Sequence, residues 1–235
     1  MTKIYVPSGS PEDWRELLAD PMKHWRTGYS AKALAYAWME GQNDFPRSVK
    51  SVFASSQVEI FRTIEMLLVF PEYKIPLPGG GRPSQSDVFV LAKSMENLVS
   101  ITVEGKVSES FDKEVSEWKT PLTRGKQVRL QYLCDCLGLA PADVDGIRYQ
   151  LLHRTASALI EADRFNASSA LMLVHSFSQT NEWFEDYRQF AALFGLEAEV
   201  DSIAYAPRRY SPQAKFTEIA LYLGWVKGEE KYLMA

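Results

Sequence analysis

The stretch SDVFVLAKSMENLVSITVEGKV, Ser86–Val107, decides the fold. Two segments rich in β-branched and apolar residues, Ser86–Lys93 and Asn97–Val107, flank a short polar turn at Met95-Glu96-Asn97, the pattern of two neighbouring strands. Along the second segment the residues alternate. Val99, Ile101, Val103 and Val107 point one way, and Ser100, Thr102, Glu104 and Lys106 point the other. Glu104 and Lys106 therefore leave the same side of one strand, and the adjacent strand can place Asp87 beside them. A clustered Asp and Glu bind a hard divalent cation through oxygen, and a nearby lysine can orient or deprotonate an attacking water.

The spacing Asp87…Glu104-Gly105-Lys106 resembles the signature of the PD-(D/E)XK superfamily, the restriction-endonuclease-like nucleases. Asp87 matches the first acid of that signature, Glu104 the second and Lys106 the lysine, while Ser86 stands where the motif's proline often sits. The resemblance implies a core of one helix, three antiparallel strands, a helix and a fourth strand, here covering about Ser48–Phe177. It implies hydrolysis of phosphodiester bonds in nucleic acid, DNA being favoured over RNA, with Mg²⁺ or Mn²⁺ as cofactor. Many members also carry an acid on the helix before the first strand. Glu65 is the candidate for it, so the expected metal ligands are Asp87, Glu104 and Glu65. The plain reading of the same residues is a solvated hairpin face with an ordinary Glu–Lys pair, and the alternative function is a catalytically inactive binding or interaction module that keeps the nuclease fold and motif.

Composition sets the frame for both readings. The chain has 235 residues, 46% of them hydrophobic and 12% aromatic, enough to build a sizeable core. Its net charge of −4 argues against a general duplex binder, because phosphate neutralisation dominates such binding, but leaves room for a local basic groove. The first residues are polar and carry Pro7 and Pro11 rather than an apolar signal core. No apolar run approaches the roughly 20 residues of a membrane span, so the expectation is a cytoplasmic protein with no membrane partner. The two cysteines, Cys134 and Cys136, lack further ligands at a zinc-site spacing and read as thiols buried in a helix. Homodimerisation is left open.

Residues 1–47 read as an N-terminal helical appendage packed on the core, with short helices at Glu12–Ala19 and Ala31–Met39. A helix-turn-helix reading of this part fails on its few basic residues. Residues 48–235 read as the α/β domain. A long helix is expected over Ser48–Val69 and a first strand over Tyr73–Leu77, then a turn at Gly79-Gly80-Gly81 that opens a strand and so does not resemble a phosphate cradle. Phe111–Lys119 and Gln131–Leu139 are expected as helices. Between them Lys119, Arg124, Lys126 and Arg129 form a basic patch with no acid among them, a loop suited to a substrate backbone.

The next informative stretch is the helix Arg148–Leu159. Gln150, His153, Arg154 and Ser157 fall at i, i+3, i+4 and i+7 and form one polar stripe. A helix after the Glu-X-Lys strand carrying Gln, Arg or His toward the site is what the nuclease resemblance implies. Gln150 thus joins Asp87, Glu104 and Lys106 as a catalytic candidate, and His153 and Arg154 join Arg124 and Lys126 as substrate-binding ones. Ser169–Phe177 is apolar enough for a strand buried on both faces, with His175 as a hydrogen-bonded core histidine. A helix over Asn181–Phe194 follows. Val200–Tyr205, the basic corner Pro207-Arg208-Arg209 and the alternating Ile219–Val226 suggest a C-terminal pair of edge strands. The sum is an α/β fold with a mixed central sheet flanked by helices.

Overall fold

The computed structural model of the chain describes residues 3–6, 8–41, 43–208 and 213–235. After a 3₁₀ turn at Pro11–Leu17 come helices α1 (Pro21–His24), α2 (Ser30–Gly41), α3 (Arg47–Ser55) and α4 (Glu59–Arg62). Strands β1 (Ile64–Ile75), β2 (Ser84–Ser94) and β3 (Asn97–Lys106) form an antiparallel meander. Helices α5 (Val115–Trp118), α6 (Arg124–Leu137) and α7 (Tyr149–Arg164) lead to β4 (Ser169–Ser176). Helix α8 (Phe184–Ala192) and strands β5 (Ser202–Tyr205) and β6 (Ala220–Lys227) complete the fold. The six strands lie in the order β1-β2-β3-β4-β6-β5, with β4 parallel to both β3 and β6. The protein is therefore α/β, a mixed open sheet with helices on both faces.

The alternation expected in β3 is what holds the layers together. Val99, Ile101 and Val103 join Val88, Val90 and Ala92 of β2 in the core against α2 and α3, where Leu34, Trp38, Val49 and Phe53 complete it. The other face of β3 carries hydroxyls toward α7. Ser100 Oγ donates to the Ala158 carbonyl at 2.8 Å and Thr102 Oγ1 to the Arg154 carbonyl at 3.0 Å. Those two bonds fix the rotation of α7 on the sheet. A second core lies under α6, α7 and α8, with Met172 and Val174 of β4 and Leu221, Leu223 and Trp225 of β6.

Several boundaries depart from the sequence reading. The expected helix Ser48–Val69 ends at Ser55, because the Ser56 backbone is extended and its hydroxyl accepts from the Val58 N–H. Its second half is strand, since Ile64–Phe70 pairs residue for residue with β2 apart from a bulge near Leu67. Helix α6 starts at Arg124, seven residues before the expected Gln131, with the Thr123 hydroxyl capping the Lys126 N–H at 3.3 Å. The basic loop is thus partly helix. Phe111–Lys119 is helical only over Val115–Trp118, and Asn181–Phe194 only over Phe184–Ala192. Strands β5 and β6 do pair antiparallel, but β6 lies inside the sheet between β4 and β5 rather than at its edge. Arg209 of the basic corner lies outside the described residues; Arg208 donates to the carbonyls of Cys136, Lys215, Phe216 and Ile219, a structural role. None of the described helices is long and apolar enough to cross a membrane.

Candidate functional site

The β2–β3 ladder runs from Ser94↔Asn97 to Val88↔Val103. Asp87 and Glu104 are the next residues beyond it, where the strands cease to pair. Here the Gly105 N–H, which points toward β2, donates to Asp87 Oδ2 at 2.7 Å instead of to backbone. Glycine at 105 suits this closeness. A Cβ there would lie 3.4 Å from Asp87 Oδ2 and 3.3 Å from Leu34 of α2.

Glu104 is the hub. Its Oε1 accepts from Lys106 Nζ at 2.7 Å and from Gln150 Nε2 at 2.6 Å, and its Oε2 accepts from Arg154 Nε at 2.5 Å. Lys106 Nζ also reaches Gln150 Oε1 at 3.1 Å and lies over the Phe111 ring. Arg154 Nη1 continues to Ser84 Oγ at 3.1 Å, and His153 Nδ1 meets the same hydroxyl at 2.9 Å. Glu104 and Lys106 are 2% and 4% exposed and Arg154 7%. Asp87, Gln150 and His153 are half-buried and form the rim above this charged floor.

The structure thus gathers Asp87, Glu104, Lys106, Gln150, His153 and Arg154, and α7 carries its stripe over the sheet because Thr102 and Ser100 hold it there. Glu65 is elsewhere. It lies on β1 rather than on a helix, opposite Lys93 with 3.6 Å between the charges, and its side chain is 66% exposed. The acid that does reach the site is Glu72, which the sequence reading missed. Pro71↔Val88 and Tyr73↔Ser86 bracket it, so Glu72 sits across from Asp87, and it accepts from Gln85 Nε2 at 2.6 Å. Glu72 has φ 51°, which breaks the strand's alternation and lets Tyr73 stack on Phe89 and reach Glu161. No local pattern signals that conformation in a glutamate.

The basic patch is divided. Lys119 is paired with Asp145 at 2.6 Å, and Arg129 turns inward to the carbonyls of Leu77, Pro78 and Gly80. Arg124 is exposed and Lys126 half-buried, on the first turn of α6 rather than in contact with the Glu104 network. His175 lies on the opposite face of the sheet, bonded to Ser48 Oγ at 3.0 Å, and burial holds its pKa near 3, so it is a neutral core residue.

Electrostatics separates the acids. Burial alone would raise Glu104, but the Arg154 guanidinium and the Lys106 ammonium hold its carboxyl below the usual range. Burial and the Glu104 charge push Asp87 up to about 7, and burial and Asp87 push Glu72 to about 8. His153 is driven well below its usual value by burial and by the nearby Arg154, Arg129 and Lys106 charges. Among the described residues no three Asp, Glu, His or Cys side chains form a ready cage for a metal ion. The donor chemistry nevertheless fits a magnesium-like ion, which is held by one or two carboxylates and keeps several waters. Asp87 and Glu104, at one end of the β2–β3 ladder, would be the carboxylates of such a site.

No curated protein and no solved structure matches the chain. The family model for the domain of unknown function DUF6946 matches residues 7–230, nearly the whole chain, and the protein belongs to that family.

Proposed function

We propose that this protein is a metal-dependent phosphodiesterase acting on nucleic acid. One observation carries the reading. Asp87, Glu104, Lys106 and Gln150 converge where the β2–β3 ladder ends, on a three-stranded antiparallel meander that helices α5, α6 and α7 connect to a fourth strand, in keeping with the strand–helix–strand order that the PD-(D/E)XK resemblance implies. Asp87 and Glu104 would hold a Mg²⁺ or Mn²⁺ ion, which would polarise the phosphate and lower the pKa of a bound water. Lys106 and Gln150, bonded to each other and to Glu104, would orient the attacking water by hydrogen bonds. Arg154 holds the Glu104 carboxylate in place through Nε and anchors itself on Ser84. The reaction belongs in the cytoplasm on this reading, where Cys134 and Cys136 stay reduced.

A second reading has its own support. Both Glu104 oxygens already accept from Lys106, Gln150 or Arg154, an internally bonded network that suits a non-cleaving binding module. Calorimetric titration of Mn²⁺ into the wild-type protein and into Asp87→Ala separates the two. The hydrolase reading expects binding in the wild type that is lost in the variant, followed by cleavage of an oligonucleotide that Lys106→Ala abolishes. Heats that are absent, or equal in both proteins, favour the binding module.

A further inference from the structure

We propose that the rim formed by Trp118, Tyr149 and the first turn of α6 seats an unpaired nucleobase and its phosphates, so that single-stranded polynucleotide is bound beside the Glu104 site. This rests on the nucleic-acid reading above but not on cleavage. The Trp118 and Tyr149 rings are stacked, with centroids 3.9 Å apart and planes 10° from parallel. Tyr149 in turn packs on the His153 ring at 4.9 Å. His153 shares the Ser84 hydroxyl with Arg154, and Gln150 follows Tyr149 in the chain. The aromatic run therefore starts beside the Glu104 network and leads away from it to half-buried Trp118 on α5.

Charge follows the same path. Lys126 Nζ lies 5.9 Å from the centre of the Trp118 ring, held by the Pro121 carbonyl at 3.1 Å. Among the described residues neither Lys126 nor Arg124 is in an ion pair, unlike neighbouring Lys119. In a chain of net charge −4, an unneutralised cation over a stacked ring, with exposed Arg124 on the same helical turn, complements a polyanion with flat rings.

The single strand follows from geometry. In a duplex the base faces are stacked on one another and cannot reach an aromatic side chain, whereas an unpaired base offers its face whatever its sequence. Fluorescence anisotropy in EDTA, with dye-labelled oligothymidylate and oligouridylate about fifteen nucleotides long, tests this without metal or turnover. The expectation is binding of one or both single strands, with a duplex of the same length bound more weakly. Trp118→Leu and Lys126→Gln should each weaken binding about tenfold, and Trp118→Phe should restore most of it. Arg188→Gln, which removes a cation on α8, should leave it unchanged. The Lys126 side chain makes only exposed bonds, so its variant keeps the test alive if Trp118→Leu fails to fold. Preference for duplex, no binding of any strand, or wild-type affinity in folded Trp118→Leu and Lys126→Gln overturns the inference. Strand binding without Mn²⁺ binding would instead sink the hydrolase reading and leave this surface standing.

Discussion

Asp87 and Glu72 face each other across β1 and β2, and like charges at such positions oppose strand pairing. Their protonation shapes how stability responds to pH above about 6.5. In the folded chain the two acids hold protons up to about 7 and about 8, whereas ordinary values are 3.8 and 4.5. Between these limits the unfolded chain is ionised while the folded one is not, so unfolding releases protons. The stability they contribute is complete below about pH 4 and is lost as pH rises through about 7 to 8. Glu104, depressed by its cations, matters only below this window. His153 and His175, neutral in the fold, act in the opposite sense up to about pH 6.5. Urea midpoints measured in EDTA should therefore fall from about pH 6.5 to about pH 8.5, and Asp87→Asn should flatten that slope. A wild-type midpoint that stays level would show that both acids ionise freely in the fold. The positions of Asp87, Glu104, Lys106, Gln150 and Arg154 were legible because period-two and helical spacing are local properties. Glu72 was not, because its placement depends on a positive φ and on a partner strand.

At the scale of elements, the joints matter more than the strands. The loop after β1 packs Gly79 onto the start of α6. A Cβ at Gly79, whose φ is 79°, would stand 2.1 Å from the Gly125 carbonyl oxygen and 2.9 Å from the Arg129 nitrogen. Gly79→Ala forces both the backbone conformation and the contact, so it should destabilise the fold by about 2 kcal/mol or more. Gly81→Ala, with open space around it, should stay within about 0.5 kcal/mol of wild type. Chemical denaturation of the pair checks this, and equal midpoints would mean that the loop does not dock on α6. The sequence marked this glycine run as a turn but could not show what it touches. The same blindness explains the misread helix. Ile60, Phe61, Ile64, Leu67 and Leu68 recur at a helical period, yet Ile64–Phe70 finds a strand partner in β2, and tertiary pairing overrides local periodicity.

At the scale of the whole molecule, the described residues before α3 cover one face of the sheet together with α3. Leu34, Trp38 and Met39 of α2, with Trp14 and Phe45, lie in one core with Val99, Ile101 and Val103 of β3. The C-terminal turn Glu230–Met234 clamps α2 from outside, through Lys231 and Tyr232 to Glu40. Leu34 also backs Gly105, between the two charged residues of β3, so this layer supports the candidate site directly. Each large apolar side chain uncovered would cost about 1.5–3 kcal/mol, and the half-dozen buried ones in this segment together match the whole margin of about 5–15 kcal/mol by which domains are stable. A chain starting at Ser48 should consequently fail to unfold cooperatively. It should keep helical and strand signal in the far-ultraviolet circular dichroism while losing the near-ultraviolet bands of its packed aromatics. It should also bind a hydrophobic dye that the full chain ignores. A shortened chain that melts in one sharp transition and binds no dye would make the N-terminal helices an appendage on a self-sufficient domain, and the β3 core would then have to be closed from elsewhere.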